Sequence, residues 1–431
     1  MRITLSLFIL LLTLSCSTNT PSSDKKESHS NSSSILKSGL PSEEGFSADR
    51  LDKIDKMIEK AIEEKQIPGA VALIARNGKV IYNKAFGESD VKNKKPFKTD
   101  DIFRIASQSK AITSTAVMIL WEEGKFQLDQ PISDFIPEFK NPNVLENFNE
   151  SDSSYTSIPA DKEITIRHLI THTSGIGYGV IDGDPRFKSL YHKAGITDLF
   201  TTEATTIEES VKKLAKLPLH HNPGEKFTYS EGLDVLGYFI EIVSGMPFDQ
   251  FLRERIFDPI GMDNTWFYLP EEKRERLVPV QYPNEGNWDH YPVTFYDTDY
   301  PKTGAMTFFS GGAGLSSTAE DYAKFLQMYL NKGEYNGARI LSPTTINTMM
   351  TNQLTDINGN YGLAFGLVLE KGVQKGGSGS LGTFDWGGYF NTQYFADPEL
   401  NIVGVFMKQT QNTSDPTGWK FRQMVFASVV E

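Results

Sequence analysis

Apolar positions first recur at helical spacing in "FSADRLDKIDKMIEKAIEEKQIPG", where Leu51, Ile54, Ile58, Ala61 and Ile62 share one face. Ser47 suits the cap of that helix, and Pro68-Gly69 ends it. The period then changes. "AVALIARNGKVIYNKAFG" holds two apolar runs around Asn77-Gly78, a dipeptide suited to the positive φ of a tight hairpin turn. "ASQSKAITSTAVMIL" is apolar on every side and predicts a core helix from about Ser107 to Gly124. Residues 125–163 are mixed and predict an excursion without a core of its own, and "ITIRHLITHTSG" predicts a short helix running into a turn. Helices are expected near 206–216, 231–244, 247–256 and 318–331. "YGLAFGLVLEK", "TFDWGGYFNTQYFAD" and "NIVGVFMKQT" read as strands, followed by a closing helix from about Thr417 to Val430. Strands at both ends with helices between them predict one sheet built from both ends of the chain, with a helical lobe over roughly 125–330.

Composition narrows the function. The 431 residues carry a net charge of −12, and no basic stripe interleaved with aromatics is present, so nucleic acid is excluded as a partner. The first residues, "MRITLSLFILLLTLSCSTNT", place Arg2 before an apolar core, Leu5 to Leu14, that is too short to span a bilayer. Residues 1–15 therefore read as an export signal. Cys16 is the only cysteine, which leaves none for disulfides or thiol catalysis. Its place resembles the lipobox of bacterial lipoproteins, with Thr13 where leucine is usual. That resemblance implies a lipidated Cys16 and a membrane anchor in the bacterial cell envelope. A plain secretory signal is the alternative. Residues 16–44, rich in Ser, Asn, Thr and Lys, read as a tether, and the folded body is expected over 45–431.

Three stretches carry candidate chemistry. Ser107 and Lys110 are three apart and share a helix face. A serine hydroxyl needs a base to become a nucleophile, and Lys110 can serve if burial leaves it a neutral amine. In "NPGEKFTYSEGLDVLGYFIE", Tyr229 opens a helix, where its hydroxyl can point into a cleft and relay a proton. In "TFDWGGYFNTQYFADPE", Trp386-Gly387-Gly388 interrupts a strand pattern, as glycines do where a ligand or another backbone comes close. A backbone N–H just after it could complete an oxyanion hole with that of Ser107.

Together with "TIRHLITHTSGI" and "SGGAGLSSTAEDYAKFLQMYLNKGEYNGARILSP", these pieces resemble, in order, the serine β-lactamase and penicillin-binding-protein superfamily. The likeness is to its class C-like branch, which includes family VIII carboxylesterases. It implies an α/β, β-lactamase/transpeptidase-like fold, an antiparallel sheet flanked by helices with an inserted, mainly helical lobe. It also implies an acylated Ser107, Lys110 assisting its deprotonation, Tyr229 as general-base partner, and Tyr389 N–H as second oxyanion donor. Trp386, Gly388 and Glu231 would meet the substrate. No cofactor or metal is implied.

Two departures bear on the substrate. The third motif has Trp386 where β-lactamases carry a lysine, and tryptophan offers an apolar wall rather than a cation for a substrate carboxylate. Glu231 stands where class C enzymes place an asparagine, and an ionised carboxylate cannot donate to a substrate amide. Both favour neutral esters. D-alanyl-D-alanine carboxypeptidase or β-lactamase activity is the alternative, and a silent cell-wall peptide binder is a further one. Lys302-Thr303-Gly304 spells the lysine form of the third motif but precedes a helix rather than the closing hairpin. His168 and His172 lack the Glu of H-E-x-x-H, and Gly377 to Gly382 lacks a surrounding βαβ unit. No G-x-S-x-G elbow is present. The stretches 125–163 and 283–309 are expected to line the cleft entrance, and Tyr282, Trp288, Tyr291 and Phe295 are candidates to shape a lipophilic pocket, with plain packing the commoner role of such aromatics.

Overall fold

The strand β2 (Gly69–Arg76) is buried along nearly its whole length, and its alternate residues serve two cores. Ala70, Ala72 and Ile74 pack with Leu51, Ile54 and Ile58 of α1 (Ala48–Glu63). Val71, Leu73 and Ala75 face the larger core on the other side. The chain is described here by a computed structural model covering residues 35–377 and 379–431. β2 turns through Asn77 (φ 53°) and Gly78 (φ 76°) into β3 (Lys79–Asp90), the expected hairpin.

The other strands of the sheet are β1 (Lys37–Ser38), β4 (Lys95–Pro96), β5 (Gly366–Leu367), β6 (Phe384–Gly387), β7 (Gln393–Asp397) and β8 (Ile402–Met407). Their order is β1-β3-β2-β8-β7-β6-β5, with β4 on β3. Every pair is antiparallel except β1 with β3. The sheet is thus built from both ends of the chain, as expected, and the β8–β2 pairing joins them, Ile402 opposite Arg76 through Met407 opposite Val71.

Several boundaries move. The tether was expected to reach residue 44, but β1 pairs with β3 and the Leu36 N–H donates to Tyr335 Oη at 2.9 Å. Lysine- and serine-rich sequence still forms an edge strand, because pairing uses the backbone. Cys16 and the export signal lie outside the described residues. The lobe was expected to end near 330, yet α4 (Ala319–Leu330) packs on the sheet, its Tyr322, Phe325 and Tyr329 joining the core beneath β2 and β8. Residues 143–159 form an exposed hairpin. "YGLAFGLVLEK" yields only the two residues of β5. Helices at Pro185–Ala194, Pro343–Met349 and Glu370–Lys375 were not anticipated, the last two being too short for their periodicity to stand out.

Candidate active site

Two residues carry the helix α2 (Ser109–Glu122) into the site: Ser107, in the 3-10 turn before it, and Lys110, in its first turn. Ala106 is held at φ 43°, a conformation unfavourable for a residue with a Cβ, so the turn presenting Ser107 is locally strained. Ser107 is half-buried and Lys110 is 1% exposed. The Lys110 amine donates to Tyr178 Oη at 2.7 Å, to the Gly312 carbonyl at 2.8 Å, and to Ser107 Oγ at 3.4 Å. Three oxygens thus surround the Lys110 nitrogen.

Tyr178 was not singled out from the sequence. Its ring lies 5.4 Å from that of Tyr229, and burial with the nearby Tyr229, Asp234 and Glu231 pushes its phenol well above the ordinary tyrosine value. Tyr229 sits where the sequence placed it, just before α3 (Gly232–Ser244), with its ring face 4.6 Å from Lys110 Nζ. His172 backs that ring at 4.8 Å, and the Ser230 N–H donates to its Nδ1 at 3.3 Å. His172 lies beyond the short helix that carries His168, whose Nδ1 accepts from the Thr165 N–H as part of a capping box.

The segment 310–315 threads between α2 and α3. A Cβ on Gly311 would lie 2.3 Å from the Leu233 carbonyl, so only glycine fits. Thr113 donates to the Gly311 carbonyl at 2.7 Å, and the Leu315 N–H donates to Ser109 Oγ at 3.1 Å. Those bonds explain why the first turns of an otherwise apolar helix carry so many hydroxyls.

The opposite wall is the end of β6. Trp386 stands 5.9 Å from Tyr229 and 5.3 Å from Tyr361, in an aromatic cluster. A Cβ on Gly388 would lie 2.5 Å from the Ile105 carbonyl and 2.2 Å from Thr392 Oγ1. Glycine therefore lets the Gly388–Tyr389 backbone lie directly against the turn that carries Ser107. The Tyr389 carbonyl accepts from Gln411 Nε2 at 2.5 Å, and the Thr410 N–H donates to the Phe390 carbonyl at 3.1 Å, which fixes the turn. Lys302-Thr303-Gly304 lies elsewhere, at the end of a four-residue helix with Lys302 paired to Asp299 at 3.3 Å.

Glu231 needs correction as a substrate-binding residue. It is 3% exposed, and its carboxyl turns toward Asp198, which accepts from the Gly179 and Val180 N–H groups. Burial and Asp198 raise its pKa well above the ordinary glutamate value, which favours the protonated form beside Asp198. A raised carboxyl favours the folded state less and less as pH climbs past the unfolded value of about 4.3. Glu231→Gln keeps a donor toward Asp198 but does not titrate. It is expected to melt at a higher temperature than the wild type in alkaline buffer, the gap closing near pH 4, as calorimetry across pH would show.

An aromatic wall runs outward from the Gly388–Tyr389 turn. Tyr389 meets Tyr296 at 6.3 Å, Tyr296 stacks on Tyr291 at 6.2 Å, and Phe295, 42% exposed, packs on Tyr296 at 4.6 Å. Trp288 is buried packing. Arg104, fully buried three residues before Ser107, clamps this stretch by donating to the carbonyls of Thr298 at 2.5 Å and Val278 at 2.6 Å.

The Beta-lactamase family model matches residues 54–425. This chain belongs to the Beta-lactamase family. It is a serine hydrolase of the serine β-lactamase and penicillin-binding-protein superfamily, with the β-lactamase/transpeptidase-like fold. It is 28% identical to Esterase EstB of Burkholderia gladioli over 87% of this chain and 95% of that protein. It is also 28% identical to Lovastatin esterase of Penicillium rubens, over 82% and 91%. The solved structure of EstCE1, described as a hydrolase with promiscuous acyltransferase activity, superposes with a TM-score of 0.74 at 27% identity, covering 88% of this chain and 98% of that one.

Proposed function

We propose that this enzyme is a cell-envelope carboxylesterase that works through an acyl-enzyme on Ser107. The observation that carries this is the meeting of Ser107 Oγ, Lys110 Nζ and the Tyr178 and Tyr229 rings beside the glycine turn at 388, with Trp386 at the third motif. Ser107 Oγ attacks the ester carbonyl carbon while its proton passes to the Lys110–tyrosine group. The N–H groups of Ser107 and Tyr389 hold the oxyanion. The leaving alkoxide departs with a proton from the same group, and water then cleaves the acyl–serine ester, releasing the acid and restoring the hydroxyl. The relatives named as esterases support the substrate class. Localisation to the envelope rests on the export signal and Cys16, which would be lipidated.

A fluorophosphonate probe is expected to label the wild type, with the adduct mapping to the peptide that holds Ser107. Short-chain nitrophenyl esters should turn over faster than a chromogenic cephalosporin, because Trp386 offers no cation to a substrate carboxylate. Rapid cephalosporin turnover without ester turnover would replace this reading with a β-lactamase.

A further inference from the structure

Lys110 is a buried amine with neutral acceptors in direct contact, and an uncompensated buried charge is costly. A carboxylate whose charge interacts with Lys110 is that of Asp234, in the first turn of α3 and 5% exposed. The two meet through a single residue, Gly312, by its own N–H and its own carbonyl. The Gly312 N–H donates to Asp234 Oδ1 at 3.2 Å, and the Gly312 carbonyl accepts from Lys110 Nζ at 2.8 Å. A Cβ built on Gly312 would lie 2.7 Å from Asp234 Oδ2, 3.3 Å from Tyr178 Oη and 3.4 Å from Lys110 Nζ. Carboxylate, phenol and amine thus crowd around one glycine.

We propose that Asp234 is a positioning residue for the nucleophile's base: its carboxylate anchors Gly312 by the N–H, which helps hold the carbonyl of the same residue on Lys110, and supplies the negative charge that balances the amine. This rests on the reading of Ser107 as nucleophile. Burial raises the Asp234 pKa, while the Ser310 hydroxyl, the Lys110 charge and the Gly312 N–H each favour its ionised form. The other groups around it are Asp198, Glu231 and Tyr178, and His172 and Tyr229 face Lys110 from the far side. Burial also raises the pKa of Glu231 and of Tyr178, but neither has the Lys110 charge among the groups that favour its ionised form, as Asp234 has.

The test is the rate at which a fluorophosphonate labels Ser107, followed across pH in the full chain. Asp234→Asn keeps the acceptor for the Gly312 N–H and removes only the charge. Losing an anion favours the deprotonated forms of the groups beside it, so the labelling profile should move to lower pH by about one unit. A lost packing contact would lower the rate at every pH without moving the profile. A folded Asp234→Asn protein with the wild-type profile overturns the proposal, whatever its absolute rate. Should that variant fail to fold, Gly312→Ala reads the same link, because its methyl must displace the carboxylate. A shifted profile there supports the proposal, and an unshifted one overturns it. A folded wild type that takes no label defeats the Ser107 reading itself, and the role of Asp234 falls with it.

Discussion

Ser107→Ala is expected to abolish fluorophosphonate labelling and lower ester turnover by about four to six orders of magnitude, while the melting temperature stays near that of the wild type. The size follows from chemistry. Without the Ser107 hydroxyl no acyl-enzyme forms there, and the reaction must proceed by direct attack of water. Stability should hold because Ser107 is half-buried, its one hydrogen bond to Lys110 is long at 3.4 Å, and Lys110 keeps two shorter ones. Removing a hydroxyl from a strained turn costs little packing. A variant retaining more than about a hundredth of wild-type turnover would place the nucleophile elsewhere.

The sequence showed this serine and lysine because a spacing of three on a helix is visible without coordinates. It showed the wall opposite because Gly388 is required by contact, and a paired glycine in a strand pattern is a local signal. The sheet, too, was legible in outline, since β2 and β8 are continuous apolar runs with partners at opposite ends of the chain. What stayed hidden depends on distant segments meeting. Tyr178 lies in "HTSGIGYG", where nothing local separates a tyrosine bonded to a buried amine from one that merely packs. Arg104 and Asp234 did leave a trace, a charge inside an apolar stretch in "DIFRIAS" and "GLDVLGYF". Such residues must be paired or hydrogen-bonded once buried, and here both are. Glu231 misled because its position in the motif suggested the cleft, whereas its surroundings are set by Asp198, thirty-three residues earlier.

Lys110→Ala should lower the acylation rate between about a hundredfold and ten-thousandfold, the range over which a positioned acid–base group acts. The loss should exceed that of either tyrosine variant, because Lys110 is the group that touches both Ser107 and Tyr178. The two phenols should then separate. Tyr178 stays protonated, held up by burial and its acidic neighbours, so it cannot take the proton of Ser107 near neutral pH. Its hydroxyl instead accepts from the amine and holds it in place. Tyr178→Phe should therefore cost about tenfold, the worth of one hydrogen bond to a charged group. Tyr229→Phe should cost about a hundredfold or more if its hydroxyl relays the proton. Pre-steady-state acylation rates of the three variants, with melting curves to confirm folding, measure this ordering. A Tyr229→Phe enzyme as fast as wild type, beside a nearly inactive Tyr178→Phe, would move the proton relay from the loop at 229 to the turn at 178.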